Sequence, residues 1–156
     1  MRNEILSPSA GRVIEVKKER GHYHVSIFLA VWDNHSQFIP YDCECIRVTY
    51  KPGEFHMAHI LGKSDKNERS QTVFNAAFGM FVVTQIAGLV ARRIINHCKR
   101  GSKYKKGTEY GEILLGSRVD ITLPEKGITI NVKKGELITG AKTVIAFYED
   151  NKKQLT

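Results

Sequence analysis

Chemistry in this chain has to come from a few side chains, and Ser117 is the first of them. It sits in Ile113-Leu114-Leu115-Gly116-Ser117-Arg118-Val119-Asp120, where a hydroxyl nucleophile follows a residue that has no Cβ. A Gly-Ser step alone reads as a tight turn, because glycine takes strained dihedrals and serine caps turns. His35, in Phe28-Leu29-Ala30-Val31-Trp32-Asp33-Asn34-His35, adds a group that exchanges protons near neutral pH. Alone it reads as a loop histidine capping Asn34-Ser36. Arg92 and Arg93 present planar donor forks that fit a phosphate, and they fit equally well as solubilising arginines on an exposed helix face. Cys43-x-Cys45 with His56 and His59 contains metal-binding residue types. The C-x-C spacing differs from the C-x-x-C zinc pattern, and the residues lie on apolar strand-like segments, so core packing is expected and no metal. His22 and His24 alternate along a strand and read as surface.

These groups must be positioned by short strands. Arg12 to Val16 and Ile46 to Tyr50 alternate as half-buried strands do, His22 to Val31 and Phe78 to Val83 are apolar runs, and Val119 to Leu123 follows the Gly-Ser step. Pro8-x-x-Gly11 with Val16, Pro40-x-x-Cys43 with Val48 and Pro124-x-x-Gly127 with Val132 share a spacing, each followed by a glycine at Gly21, Gly53 or Gly135. Gly101 to Gly107 with Ile113 matches Gly135 to Gly140 with Val144 in the same way. This weak repeat predicts a mostly β fold, a compact barrel or sandwich of hairpins similar to biotinyl and lipoyl carrier domains. One prominent helix is expected near 84–98, because Ile86, Leu89, Val90 and Ile94 recur at three- and four-residue spacing. Thr84 is its expected N-cap and Gly101 its stop. Leu61 to Ser70 is charged and reads as a loop, and the polar tail 149–156 is expected to fray.

The chain has 156 residues with 42% apolar content, enough for one domain with a real core. Lys and Arg exceed Asp and Glu by 24 to 16, a net charge of +8 that favours an anionic partner. The cluster Lys99, Arg100, Lys103, Lys105 and Lys106 with Tyr104 carries no RNA-binding motif, so nucleic acid is disfavoured and a phospholipid surface explains it as well. The N-terminus has no long apolar core, and Phe78 to Ile95 is too polar to span a bilayer, so the expected location is cytoplasmic with peripheral membrane association. Three cysteines without a disulfide spacing fit a reducing compartment.

The run from Val83 to Pro124, V-T-Q-I-A-G-L-V-A-R-R-I-I then G-S-K-Y-K-K-G-T-E-Y-G-E-I then L-L-G-S-R-V-D-I-T-L-P, resembles the C-terminal half of the phosphatidylserine decarboxylases. The segment ending at His35 resembles the family's F-L-S-P-x-[DN]-x-H motif, with Ala30 and Val31 in place of Ser and Pro. Lys51-Pro52-Gly53-Glu54-Phe55 resembles its Y-x-P-G-x-F turn, and Asn67-Glu68-Arg69 its N-E-R triplet, which would hold the cleavage loop through an Arg69 ion pair.

The resemblance implies a self-processing enzyme. Ser117 attacks the Gly116 carbonyl, the chain is cut between Gly116 and Ser117, and the former Ser117 becomes a pyruvoyl group. That group condenses with the head-group amine of phosphatidylserine and accepts electrons as carbon dioxide leaves. His35 would move the protons. An anionic membrane surface and a homodimer are implied as partners. Two positions depart from the pattern. Ser7-Pro8-Ser9-Ala10-Gly11 stands where the family has S-P-A-D-G, so Ala10 replaces the carboxylate that orients the processing histidine, with Asp33 and Asp42 as candidates to take its place. Phe38 occupies a position that carries a second histidine in some relatives. The chain also begins at this motif, without the membrane-docking N-terminal region of many relatives. Two other readings therefore stand beside the enzyme: an uncut relative that binds lipid or a partner, and a basic β adaptor module.

Overall fold

The computed structural model describes residues 3–30, 32–54, 56–88, 93–113 and 116–150. Strands β1 (Asn3–Leu6), β2 (Gly11–Glu19), β3 (His22–Leu29), β4 (Ser36–Phe38) and β5 (Cys43–Lys51) lead to a single helical turn, α1 (Leu61–Ser64). After it come β6 (Arg69–Ala76), β7 (Gly79–Ile86), β8 (Ile94–Asn96), β9 (Lys103–Tyr104), β10 (Glu109–Ile113) and β11 (Ser117–Pro124). The described chain closes with β12 (Ile128–Ile130), β13 (Leu137–Ile138) and β14 (Val144–Tyr148).

Eight strands form one antiparallel sheet in the order β13-β2-β3-β11-β7-β6-β5-β9, curled into a half-barrel. Two three-stranded sheets, β1-β14-β12 and β4-β10-β8, complete the described fold. Mostly β is therefore correct. The comparison with hairpin-repeat carrier domains is not supported. Pro8 and Pro40 lie in loops before strands, whereas Pro124 ends β11, and Val132 lies outside any strand although Val16 and Val48 are in β2 and β5. The long central strands pair continuously, and register shifts at Val13/Glu15 and Cys45/Arg47 let the sheet bend without dividing into repeated hairpin units. Gly21, with φ of 77°, does turn the β2-β3 hairpin together with left-handed Arg20.

The helix expected near 84–98 is absent among the described residues of that stretch. Gly79–Ile86 is β7, paired on one side with β11 and on the other with β6, and Ile94–Asn96 is β8; residues 89–92, including the Leu89 and Val90 of the expected stripe, lie outside the described ones. Thr84, the expected N-cap, sits mid-strand opposite Asp120 and Gln71. The physical reason is that a strand buried on both faces shows no two-residue alternation. Phe81, Val83, Thr84, Gln85 and Ile86 are all buried, so the run imitates part of a helical stripe and its pairing decides otherwise.

The core lies on one face of the sheet. Val119, Ile121 and Leu123 of β11 stand with Val25, Ile27 and Leu29 of β3 and with Phe74 and Phe81, whose rings stack at 5.0 Å. Cys43, Cys45 and Cys98 are free thiols in this core beside the buried Tyr110, and burial pushes Cys43 and Cys98 up to about 12. Residues 151–156 of the tail lie outside the described ones, while the Glu149 amide still donates to the Gly127 carbonyl at 2.9 Å.

Candidate active site

Three of the sequence segments singled out above meet at one end of three neighbouring strands. Ser117 opens β11 opposite Leu29 at the end of β3, and Arg12, just inside the start of β2, faces Phe28. Gly11 presses on the same strand: a Cβ there would lie 2.2 Å from the Phe28 carbonyl oxygen. Because side chains alternate, Ser117 shares the core face with Val119, while Arg118 points to the other face in a row with Lys51, Arg69, Ile86 and Phe28.

Ser117 is fully buried, and its Oγ has no hydrogen-bond partner among the described residues. The residue before it, Gly116, has φ of 67°, a left-handed conformation that costs glycine little and other residues more. A Cβ placed on Gly88 would stand 1.8 Å from the Gly116 carbonyl oxygen and 3.4 Å from the Ala58 side chain. Only a glycine at 88 allows that approach.

His35 lies immediately before β4. Its carbonyl accepts from the Ile113 amide at 3.1 Å, three residues ahead of Gly116, and from Gln37 Nε2 at 2.7 Å. Buried Gln37 in turn accepts at Oε1 from Gln85 Nε2, 2.9 Å away, and Gln85 also donates to the Ile95 carbonyl. The Nδ1 atom of His35 is buried and, like Ser117 Oγ, has no partner among the described residues. A polar atom buried in this way costs free energy, and Gln85 Oε1 and Tyr110 Oη share the condition, so Ser117 Oγ and His35 Nδ1 are two of four such atoms among the described residues that call for an explanation. The Asn34-Ser36 cap is present as well, but Asn34 makes it: its Oδ1 accepts from the Ser36 amide at 2.8 Å.

The Asn67-Glu68-Arg69 triplet does hold the segments around this bond, by a different route from the one expected. Asn67 is buried; its Nδ2 donates to the carbonyls of His56 and Ala87 at 2.8 and 2.7 Å, and its Oδ1 accepts from the His56 amide at 2.8 Å. The Ala87 amide donates to the Glu68 carbonyl at 2.9 Å, which fixes Gly88 as the next residue. The hydrogen bonds of Arg69 run to the main-chain carbonyls of Ser64, Asp65 and Asn67, whereas the ion pairs belong to Arg118. Burial and the neighbouring Arg118 guanidinium both lower the Arg69 pKa.

Arg118, only 3% exposed, was not singled out from the sequence. It forks onto Asp120 through Nε and Nη2 at 2.9 and 2.8 Å, and reaches Ser64 Oγ at 2.6 Å and Asp65 at 2.7 Å. Burial opposes its charge, and the Asp120 and Asp65 carboxylates outweigh that opposition and raise its pKa. Gly88, Gln37 and Gln85 were missed too. An isolated glycine within an apolar run signals a close backbone approach, so Gly88 carried a readable cue. The two glutamines, 48 residues apart, carried none.

Ala10 is nearly buried, and Phe38 lies against the same spot: a Cβ on Gly140 would lie 2.8 Å from the Phe38 ring and 3.3 Å from the Ala10 amide nitrogen. Phe38 and the Ala10 backbone thus both lie close to Gly140, and the Phe38 amide donates to the Pro8 carbonyl at 2.9 Å. Asp33 and Asp42, the possible replacements, each cap a backbone amide, of Ala30 at 2.7 Å and of Lys106 at 2.8 Å. Arg92 lies outside the described residues, and Arg93 is exposed ahead of β8. Among the described residues, no group of three or more His, Cys, Asp or Glu is arranged to hold a metal ion, and no helix is long and apolar enough to cross a membrane.

The family model for phosphatidylserine decarboxylase matches residues 3–146. A phosphatidylserine decarboxylase proenzyme of Neisseria gonorrhoeae is 40% identical over 149 residues, 91% of this chain and 57% of that protein. The proenzyme of Neisseria meningitidis serogroup B is 39% identical over 91% of this chain and 56% of its own length. That of Burkholderia cenocepacia is 38% identical over 94% of this chain and 72% of its own length. The chain therefore spans little more than half the length of the Neisseria relatives. On the extent of these matches, the chain belongs to the phosphatidylserine decarboxylase family.

Proposed function

We propose that the chain cuts itself between Gly116 and Ser117 and then decarboxylates phosphatidylserine to phosphatidylethanolamine. The observation that carries the reading is Ser117 itself: a buried, unpartnered hydroxyl directly after a left-handed glycine. The Ser117 Oγ attacks the Gly116 carbonyl carbon, a C–O ester bond replaces the peptide C–N bond, and the hydroxyl proton passes to the released nitrogen. Loss of the Cα proton of residue 117 then expels Gly116 as a carboxylate and leaves dehydroalanine. Water displaces the nitrogen as ammonia, which creates the pyruvoyl end. His35 is the proton carrier in these steps, its main-chain carbonyl accepting from Gln37, which in turn accepts from Gln85. The pyruvoyl group supplies a carbonyl that captures a primary amine and draws in electrons as carbon dioxide leaves.

The substrate's tails lie in a bilayer, so the site must approach one. Trp32, 84% exposed, follows β3 three residues after Leu29, and the exposed Met57 and Ile60 flank Ala58, which approaches Gly88. With the net charge of +8, these residues suit a peripheral position on an anionic membrane surface. Arg93 is the described candidate for a head-group phosphate.

The test is carbon dioxide release from vesicles containing phosphatidylserine, by purified protein before and after reduction with borohydride, which destroys a ketone carbonyl. Release that borohydride abolishes supports the reading, and no release from a fully cut protein contradicts it. A second reading is favoured by one specific observation, the buried Ala10 and the Phe38 ring close to Gly140 where the family pattern places ionisable groups. In that reading the chain stays uncut and binds aminophospholipid without turning it over.

A further inference from the structure

The segment Ser64–Arg69 holds neighbours of the Gly116–Ser117 bond on both its sides, Ala87 before Gly88 and Arg118 after Ser117. On the carbonyl side, Asn67 Nδ2 holds the Ala87 carbonyl and the Glu68 carbonyl holds the Ala87 amide, so the backbone of Gly88 is delivered against the Gly116 oxygen. On the nucleophile side, Ser64 Oγ and Asp65 hold the guanidinium of Arg118, the residue that follows Ser117. The segment's own shape is fixed by Arg69 on its carbonyls and by Gly53, where a Cβ would lie 2.4 Å from the Lys66 carbonyl oxygen.

We propose that Ser64–Arg69 with Gly88 is a processing clamp: it fixes the Gly116 carbonyl and the Ser117 backbone relative to each other, and Gly88 and Asn67 are positioning residues for self-cleavage. This rests on the self-cleavage reading above. The attack of Oγ on the carbonyl directly before it needs an orientation that a relaxed peptide does not hold. A carbonyl packed against the backbone of Gly88 on one side, with the chain anchored through Arg118 on the other, has little freedom to rotate. The contact is a Cα–H to oxygen approach that any side chain at 88 would abolish.

The experiment compares Gly88→Ala and Asn67→Asp with wild type and with Gly62→Ala, whose added Cβ meets nothing within 4 Å. Asn67→Asp keeps size and acceptor but removes the amide donor to Ala87. Cleavage is followed by intact mass from the uncut chain, and folding by circular dichroism and thermal melting. Gly88→Ala is expected to slow cleavage about 100-fold, the usual cost of misplacing a reacting group by about 1 Å, and Asn67→Asp about tenfold, while Gly62→Ala cuts at the wild-type rate. Wild-type rates in folded Gly88→Ala and Asn67→Asp chains overturn the clamp. If Gly88→Ala fails to fold, Asn67→Asp decides alone. If wild type itself never cuts, the reading above fails, and the clamp is judged by the carbonyl ¹³C resonance of Gly116 in labelled protein. That resonance moves in Gly88→Ala and Asn67→Asp and stays in Gly62→Ala if the clamp exists; no movement overturns it.

Discussion

Gly88 lies so close to Gly116 that a Cβ on the first would stand 1.8 Å from the carbonyl oxygen of the second. The two residues are 28 apart in the chain, and strands β7 and β11 bring them together by pairing Ile86 with Arg118. The bond before Ser117 is therefore held by the sheet that carries the core.

Arg118→Met should destabilise the fold by about 3 kcal/mol, the lower end for breaking a buried ion pair, because Asp65 is largely exposed and Asp120 partly so. Urea unfolding measures it, and a change under about 0.5 kcal/mol, the range of ordinary surface substitutions, would contradict the anchoring role.

His35→Gln should slow self-cleavage by a factor of about 100 to 10,000, the usual contribution of a general acid or base. Gln37→Leu, which removes the donor to the His35 carbonyl, should slow it less. Equal rates in His35→Gln and wild type would show that another group moves the protons.

The Asn67-Glu68-Arg69 triplet and the segments of Ser117 and His35 were legible as motifs, because each is contiguous in sequence. Gly88 carried a cue as an isolated glycine in an apolar run, but Val83 to Ile86, buried on both faces of β7, read as the start of a helical stripe that placed Gly88 inside a helix. The roles of Gln37 and Gln85 depend on their meeting across β4, β10 and β8, which no local pattern encodes. The mostly β class followed from short alternating runs such as Arg12 to Val16, but strand order requires pairing partners as distant as Ser117 and Leu29.

Ala10→Asp should accelerate cleavage without any change at Phe38, because the carboxylate that the family pattern places at 10 orients the processing histidine, and His35 is already present. Rates from intact mass decide this. An unchanged rate in a folded Ala10→Asp chain would show that a carboxylate at 10 does not act on His35.

Folding raises the Cys43 and Cys98 thiols from about 9 to about 12, so the fold favours their neutral form. That contribution to stability is complete below the unfolded value and is lost as pH rises through the interval up to the folded one. Urea midpoints should fall between about pH 8 and about pH 10.5, and the Cys43→Ala, Cys98→Ala double variant should show a shallower fall. An identical slope in the double variant would contradict burial of the two thiols. Iodoacetamide should modify them at neutral pH only after unfolding.

The central claim is tested most directly by the intact mass of freshly purified chain under denaturing conditions. The account predicts two species, a larger one ending at Gly116 and a smaller one starting at the former Ser117 with its N-terminus blocked as pyruvoyl. A single uncut chain of 17.7 kDa, unchanged after long incubation with phosphatidylserine vesicles, would contradict it.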